Sequence, residues 1–209
     1  EIVNRIRAIL ADKLQIDKDA ILLACTHTHS GPEGFLTTMP IMPEEANPAL
    51  EEITIDKIVG AVQWAQKLLQ PVQLSAGFDQ VSGVGLNRNN PFEGTVDNQL
   101  SLLRVDDAQG KPLAILYNYG CHPTVMGADN YLISADFPGA SRQLLKKIYP
   151  NSVIMFFNGG SGDVSTRFSR RESSFSEVNR LGSLVAASVI KALNMAEPCK
   201  EEKLAYQSI

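Results

Sequence analysis

Short apolar runs alternate along this chain with longer segments whose apolar residues recur every three or four positions, and that interleaving restricts the fold more than any other feature. Ala20 to Cys25 and Val153 to Phe157 are continuous apolar runs bounded by polar residues. That is the pattern of strands buried on both faces. Val72 to Phe78 alternates as a third strand, while Leu102–Val105 and Leu113–Tyr119 flank a polar turn from Asp106 to Gly110 and read as an antiparallel pair. Between these lie four helical patterns. The first carries Ile2, Val3, Ile6, Ile9, Leu10 and Leu14, and the second runs from Ile55 to Leu69 and ends at Gln70-Pro71. The third opens at Asp136 and Pro138 and buries Leu144, Leu145 and Ile148; the fourth extends from Phe175 to Leu193. Strands interleaved with helices predict an α/β fold, a layered mixed β-sheet flanked by α-helices.

Charge narrows the function classes. Nineteen Lys and Arg against 23 Asp and Glu give a net charge of −4, which argues against a nucleic-acid platform. No apolar run approaches the roughly 18 residues that span a bilayer, so no transmembrane segment is expected. From Ser30 to Pro48 the sequence turns to Gly and Pro, with Pro32, Pro40, Pro43 and Pro48, and reads as a long surface or active-site loop.

The chain has three histidines, and they fall in two short segments, Thr26-His27-Thr28-His29 and Cys121-His122-Pro123. Neutral imidazole binds Zn(II) well near pH 7, and His-x-His on an extended segment directs both rings to one face. His122 ends a separate predicted strand, and the carboxyl ends of neighbouring strands are where α/β folds assemble their sites. The pattern therefore reads as a metal or catalytic site. Spacing alone does not select a further ligand among Glu33, Asp129, Asp136 and Asp163.

Other segments carry weaker signals. Asn158 to Ser165 places three glycines after a strand, which lets backbone amides approach a ligand and presents Ser165 at the start of the next element. It is neither a Walker loop nor the Gly-x-Ser-x-Gly elbow. Arg88, in a polar loop, is placed to clamp a carbonyl or oxyanion. The 167–172 run reads as a solvated loop whose basic cluster is able to face an anionic head group. Cys121 adjoins His122, but neighbours on a strand point to opposite faces, which disfavours a Cys/His nucleophile pair. Cys25 is expected to be a buried small hydrophobe.

Taken together, Thr-His-Thr-His-Ser-Gly-Pro at 26–32, Asn-Arg at 87–88, Cys-His-Pro-Thr-Val-Met at 121–126, Ser-Ala-Asp-Phe-Pro-Gly at 134–139 and Gly-Asp-Val-Ser at 162–165 resemble the neutral/alkaline non-lysosomal ceramidases. These are zinc-dependent amidases that cut the N-acyl bond of ceramide. The resemblance implies that His27 and His122 bind Zn(II), that His29 and Arg88 line the catalytic site around the scissile amide, and that Ser165 is catalytic. It also implies a further Glu and Tyr ligand downstream of the serine, beyond Ile209. Thr166-Arg167 stands where the family usually has Pro-Asn.

The expectation is therefore a zinc hydrolase of an acyl-amide or lipid substrate, with residues 1–209 forming part of a single catalytic domain. The competing readings are a zinc hydrolase of another amide or ester, and a non-catalytic domain whose 158–165 loop holds an anion. Three widely spaced cysteines and the lack of a leader-like segment tilt localisation toward the cytoplasm. A chain that opens inside a helix is also compatible with a secreted parent protein.

Overall fold

The computed structural model describes residues 2–32 and 47–200, which fall into two compact units. The first comprises residues 2–23, 32 and 47–70; the second comprises 24–31 and 71–200.

In the first unit, α1 (Ile2–Leu14) buries Ile6 and Leu10, and α2 (Pro48–Lys67) buries Ile55 and Val59; with Ile21 they form one apolar cluster. Arg5 bridges the helices, donating to Glu51 at 2.7 Å and Glu52 at 2.5 Å. The second helix begins earlier than its apolar stripe predicts. Asn47 caps it by accepting from the amides of Ala49 and Leu50, and Pro48 occupies the first turn. There its missing N–H costs nothing, so this proline starts a helix and does not belong to the loop. Of the proposed Ser30–Pro48 loop, residues 33–46 lie outside the described residues.

The second unit is built on a mixed five-stranded sheet of order β5-β4-β3-β1-β7. The strands are β1 (Gln73–Gln80), β3 (Gln99–Asp106), β4 (Pro112–Tyr119), β5 (Val153–Asn158) and β7 (Glu197–Pro198). Two short strands, β2 (Leu86–Asn87) and β6 (Val164–Ser165), pair separately. The β3–β4 hairpin is antiparallel with Leu102 opposite Tyr117, as its polar turn predicts. β5 then runs parallel to β4, a connection that needs a crossover, and α3 (Asp136–Ile148) supplies it. Helix α4 (Phe175–Asn194) packs beside α3 over the same sheet, so the α/β expectation holds.

Period-two alternation decides which sheet face is covered. Leu100 and Leu102 of β3, Ile115, Tyr117 and Tyr119 of β4, and Ile154 and Phe156 of β5 point into the helix-covered core. Phe137, fully buried on α3, meets Tyr119 and Phe156 edge-on, and Tyr117 shares a 2.5 Å hydrogen bond with Ser141. At Gly182 the two helices approach so closely that an added Cβ would lie 2.5 Å from that of Ala140.

Two strand expectations need correction. Val153–Phe157 is a strand but is not buried on both faces: Val153 and Met155 are 58% and 42% exposed, because β5 is an edge strand covered on one side. Ala20–Cys25 is no strand at all. A short 3-10 turn spans Lys18–Ala20, and an extended segment without sheet partners follows. Ile21 enters the small apolar cluster while Leu22 is 76% exposed, since the run crosses from one unit to the other and has no continuous surface to cover.

Candidate metal centre and cleft

β4 delivers Gly120, Cys121 and His122 alongside the loop that follows β5. The two backbones lie so close that a Cβ on Gly120 would sit 2.8 Å from the carbonyl oxygen of Gly160. That approach requires glycine, and it lets the Cys121 amide donate to Asn158 Oδ1 at 3.2 Å and the His122 amide to the Val164 carbonyl at 2.9 Å. His122 thereby forms a parallel bridge with Ser165. Its buried ring is held through Nδ1, which lies 2.6 Å from the Ser161 carbonyl and 3.2 Å from that of Val164. A ring with Nδ1–H donated to carbonyls presents Nε2 as a free lone pair, the usual way a metal-ligating histidine is oriented.

The Thr26–His29 segment is positioned by different means. His27 has φ +63°, a left-handed conformation unusual for a non-glycine residue. Thr28 Oγ1 donates to the Ser134 carbonyl at 2.7 Å, the Ser134 amide donates to the Ser30 carbonyl at 2.9 Å, and the His29 amide donates to the Pro123 carbonyl at 3.4 Å. These long-range bonds do what strand pairing was expected to do. The ring centroids of His27, His29 and His122 end up 4.6 to 5.6 Å apart, and one ligand atom from each lies within 4.8 Å of the others.

Electrostatics favour the neutral, ligating form. Partial desolvation lowers the pKa of His27, with the charges of His122 and Arg88 adding to the effect, and the same holds for His29 with His27 as a further neighbour. Among the described residues no carboxylate or thiol joins the three imidazoles. Asp136, raised as a candidate ligand, is buried at φ +53° and accepts from the amides of Met126 at 3.1 Å and Phe137 at 2.7 Å. It braces the loop after His122 against the start of α3. Asp163 accepts from the Asn87 side chain at 3.2 Å, Asp129 stands outside the cluster, and Glu33 lies outside the described residues. Cys25 is exposed, contrary to its expected burial, because the segment carrying it pairs with no sheet. Cys121 is buried, and its thiol is pushed up to about 12, chiefly by desolvation, which removes it as a nucleophile.

A cleft of about 300 Å³ opens beside the imidazoles, lined among others by His29, Arg88, His122, Ser165, Arg167 and Arg170. Pairing of β2 with β6 sets Leu86 opposite Ser165, and the Arg88 amide donates to the Asp163 carbonyl at 2.7 Å. The structure thus brings all five sequence-derived site residues into one region. The expectation of a merely solvated 167–172 loop is too weak: Arg167 and Arg170 reach the cleft, Arg170 by donating to the carbonyls of Thr124 and Val125. The clustering of basic residues just after Ser165 was the available signal. Ser134 and Asp136 act as braces that only long-range contacts reveal.

The same loop is tied to α4 through Glu177, which accepts from the Arg171 amide at 2.9 Å and from Arg180 at 2.6 and 2.8 Å. Arg180 above all holds this carboxyl near about 2, against an ordinary 4.5. The ionised carboxylate therefore contributes its full stabilisation above about pH 4.5 and loses it as pH falls toward about 2. Glu177→Gln should lower the melting temperature at pH 7, and the gap to the parent should close as the pH approaches 2; a pH-independent gap in thermal melts would contradict this.

Comparisons with known proteins bear on the family and the fold. Residues 1–171 match the family model described as neutral/alkaline non-lysosomal ceramidase, N-terminal. Neutral ceramidase A of Dictyostelium discoideum is 30% identical over 148 residues, covering 62% of this chain and 20% of that protein. The neutral ceramidase of Pseudomonas aeruginosa is 32% identical over 140 residues, covering 59% of this chain and 20% of the relative. The chain thus spans about a fifth of the length of these curated relatives. The crystal structure of neutral ceramidase from Pseudomonas aeruginosa superposes with a TM-score of 0.81 at 24% identity, over 92% of this chain and 34% of that one, a likeness of fold.

Proposed function

This chain belongs to the neutral/alkaline non-lysosomal ceramidase family, and on that premise we propose that it is part of the catalytic domain of a zinc-dependent hydrolase that splits an N-acyl amide, ceramide or a related acyl amide, into a fatty acid and an amine. The convergence of His27, His29 and His122 within 4.8 Å beside a cleft that contains Ser165 and Arg88 carries this reading.

The donor set fits zinc. Imidazole nitrogens are among its preferred ligands, catalytic sites of this metal keep an open position, and His122 has the carbonyl support that such ligands need. His27 and His122 would hold the ion. When bound, Zn(II) supplies Lewis acidity toward the scissile carbonyl and lowers the pKa of water from about 15.7 toward 7.

The remaining work falls to the protein's own groups. His29 and Arg88 face the cleft where negative charge develops on the carbonyl oxygen, and donors fixed in place before reaction stabilise that charge. Ser165 is 3% exposed, accepts from the Arg167 amide at 3.3 Å and positions the substrate at the reacting carbonyl. The braces at Ser134 and the buried Asp136 keep the two histidine segments in register, which matters because small displacements of reacting groups are costly in rate.

Metal removal tests the reading. Dialysis of the full chain against 1,10-phenanthroline should reduce hydrolysis of N-dodecanoylsphingosine by at least about 100-fold, and added Zn(II) should restore it. Turnover that survives complete metal removal would sink the proposal.

A further inference from the structure

The cleft carries more positive charge than hydrolysis of a neutral amide uses. In a chain of net charge −4, three guanidinium groups, Arg88, Arg167 and Arg170, line this one cleft. Among the described residues, no Asp or Glu lines it. Two nearby carboxylates are turned elsewhere, Asp136 to the amides of Met126 and Phe137 and Asp163 to the side chain of Asn87. The three arginines also differ in what already occupies them. Arg170 is spent on the carbonyls of Thr124 and Val125. Arg88 has the developing oxyanion to serve. Arg167 is left, and among the described residues its side chain makes no hydrogen bond or ion pair.

A cleft lined by three guanidinium groups suits the polar amine half of an acyl amide better than its apolar acyl chain. The Arg167 amide donates to Ser165 Oγ, so the residue is fixed next to the group that positions the reacting carbonyl. A guanidinium presents a planar fork that matches carboxylate, sulfonate and phosphate oxygens. An uncommitted fork beside two further guanidinium groups attracts anions and repels cationic amines.

We propose that Arg167 makes this cleft selective for acyl amides whose amine half ends in an anionic group. The substrate class is then an N-acyl amino acid or an analogue with a sulfonate or phosphate in place of the carboxylate. This inference rests on the amide-hydrolase reading above, and the two fail separately in the following experiment.

The full chain and its Arg167→Gln and Arg167→Lys variants are assayed with N-dodecanoylglycine, N-dodecanoyltaurine and N-dodecanoylethanolamine phosphate, against neutral N-dodecanoylethanolamine. Both kcat/KM and calorimetric binding are measured. The parent should prefer at least one anionic amide by roughly tenfold or more, and the favoured member identifies the anion. In Arg167→Gln the ratio should collapse toward unity through KM, with partial recovery in Arg167→Lys. If no amide is turned over but the binding preference appears and depends on Arg167, the selectivity stands and the hydrolase reading falls. Equal treatment of neutral and anionic amides by the parent overturns the selectivity and leaves hydrolysis intact. A preference that survives Arg167→Gln also overturns it, as does an Arg167→Gln effect confined to thermal stability or to inhibition by the product dodecanoate.

Discussion

Replacing His122 with alanine should lower N-acyl amide hydrolysis by the full chain at least about 1000-fold, equivalent to roughly 4 kcal/mol of transition-state stabilisation. The size of the effect follows from what this one ring does. It is a proposed metal ligand, it lines the cleft, and it is the residue through which the end of β4 meets the loop before Ser165. Loss of a residue that merely orients a ligand already costs about 10- to 100-fold in metal affinity or activity, and loss of the ligand itself should exceed that. The truncation also strips the Ser161 and Val164 carbonyls of their shared partner, at a stability cost of about 1–3 kcal/mol. The fold should survive, because the bridging His122 amide is retained and the five-stranded sheet lies outside the change. Circular dichroism of the parent kind, coupled with activity within tenfold of the parent, would refute the assignment.

Phe137→Ala should have the largest effect on stability. Phe137 is fully buried in the first turn of α3, with its ring 6.4 Å from Tyr119 and 6.2 Å from Phe156, so it fastens the crossover helix to β4 and β5. Large-to-small changes at such aromatic positions cost about 3–5 kcal/mol, and for a chain of this size that is roughly 6–20 °C in melting temperature. The damage should reach the site. The Phe137 amide is bonded to Asp136, whose other oxygen holds Met126 just after the His122 segment, and Ser134 on the same stretch anchors Thr28. Urea unfolding should therefore show reduced stability together with weaker zinc affinity. A loss under about 1 kcal/mol would mean that the aromatic cluster is not what secures this helix.

The two substitutions also mark what could and could not be read from sequence. The hairpin around Asp107–Gly110, the helix opened by Asp136 and the long helix ending near Leu193 were legible because each has a local period and a local stop signal. The grouping of His27, His29 and His122 was legible for a related reason: all sit in loops or at strand ends beside glycine and proline, where α/β folds place side chains that must meet. Ala20–Cys25 misled because apolar content alone does not supply a strand partner, and this run crosses from one unit to the other. Pro48 misled because the same ring that breaks a helix interior is compatible with its first turn. The pairing of Leu86–Asn87 with Val164–Ser165 joins two residues to two others far away in the chain, too short a match to leave any periodicity. Yet that pairing brings Arg88, next to Asp163, into the cleft that Ser165 also lines. The supporting hydrogen bonds of Ser134 and Asp136 were hidden for the same reason: a single bond between residues apart in the chain carries no local pattern.

The central claim is that His27 and His122 hold a zinc ion, and elemental analysis of the purified, metal-replete full chain tests it most directly. The account predicts about one zinc per chain in the parent protein and a loss of most of that metal in His27→Ala. A parent protein that hydrolyses N-acyl amides with no bound zinc, or a His27→Ala variant that retains the full complement of metal, would contradict it.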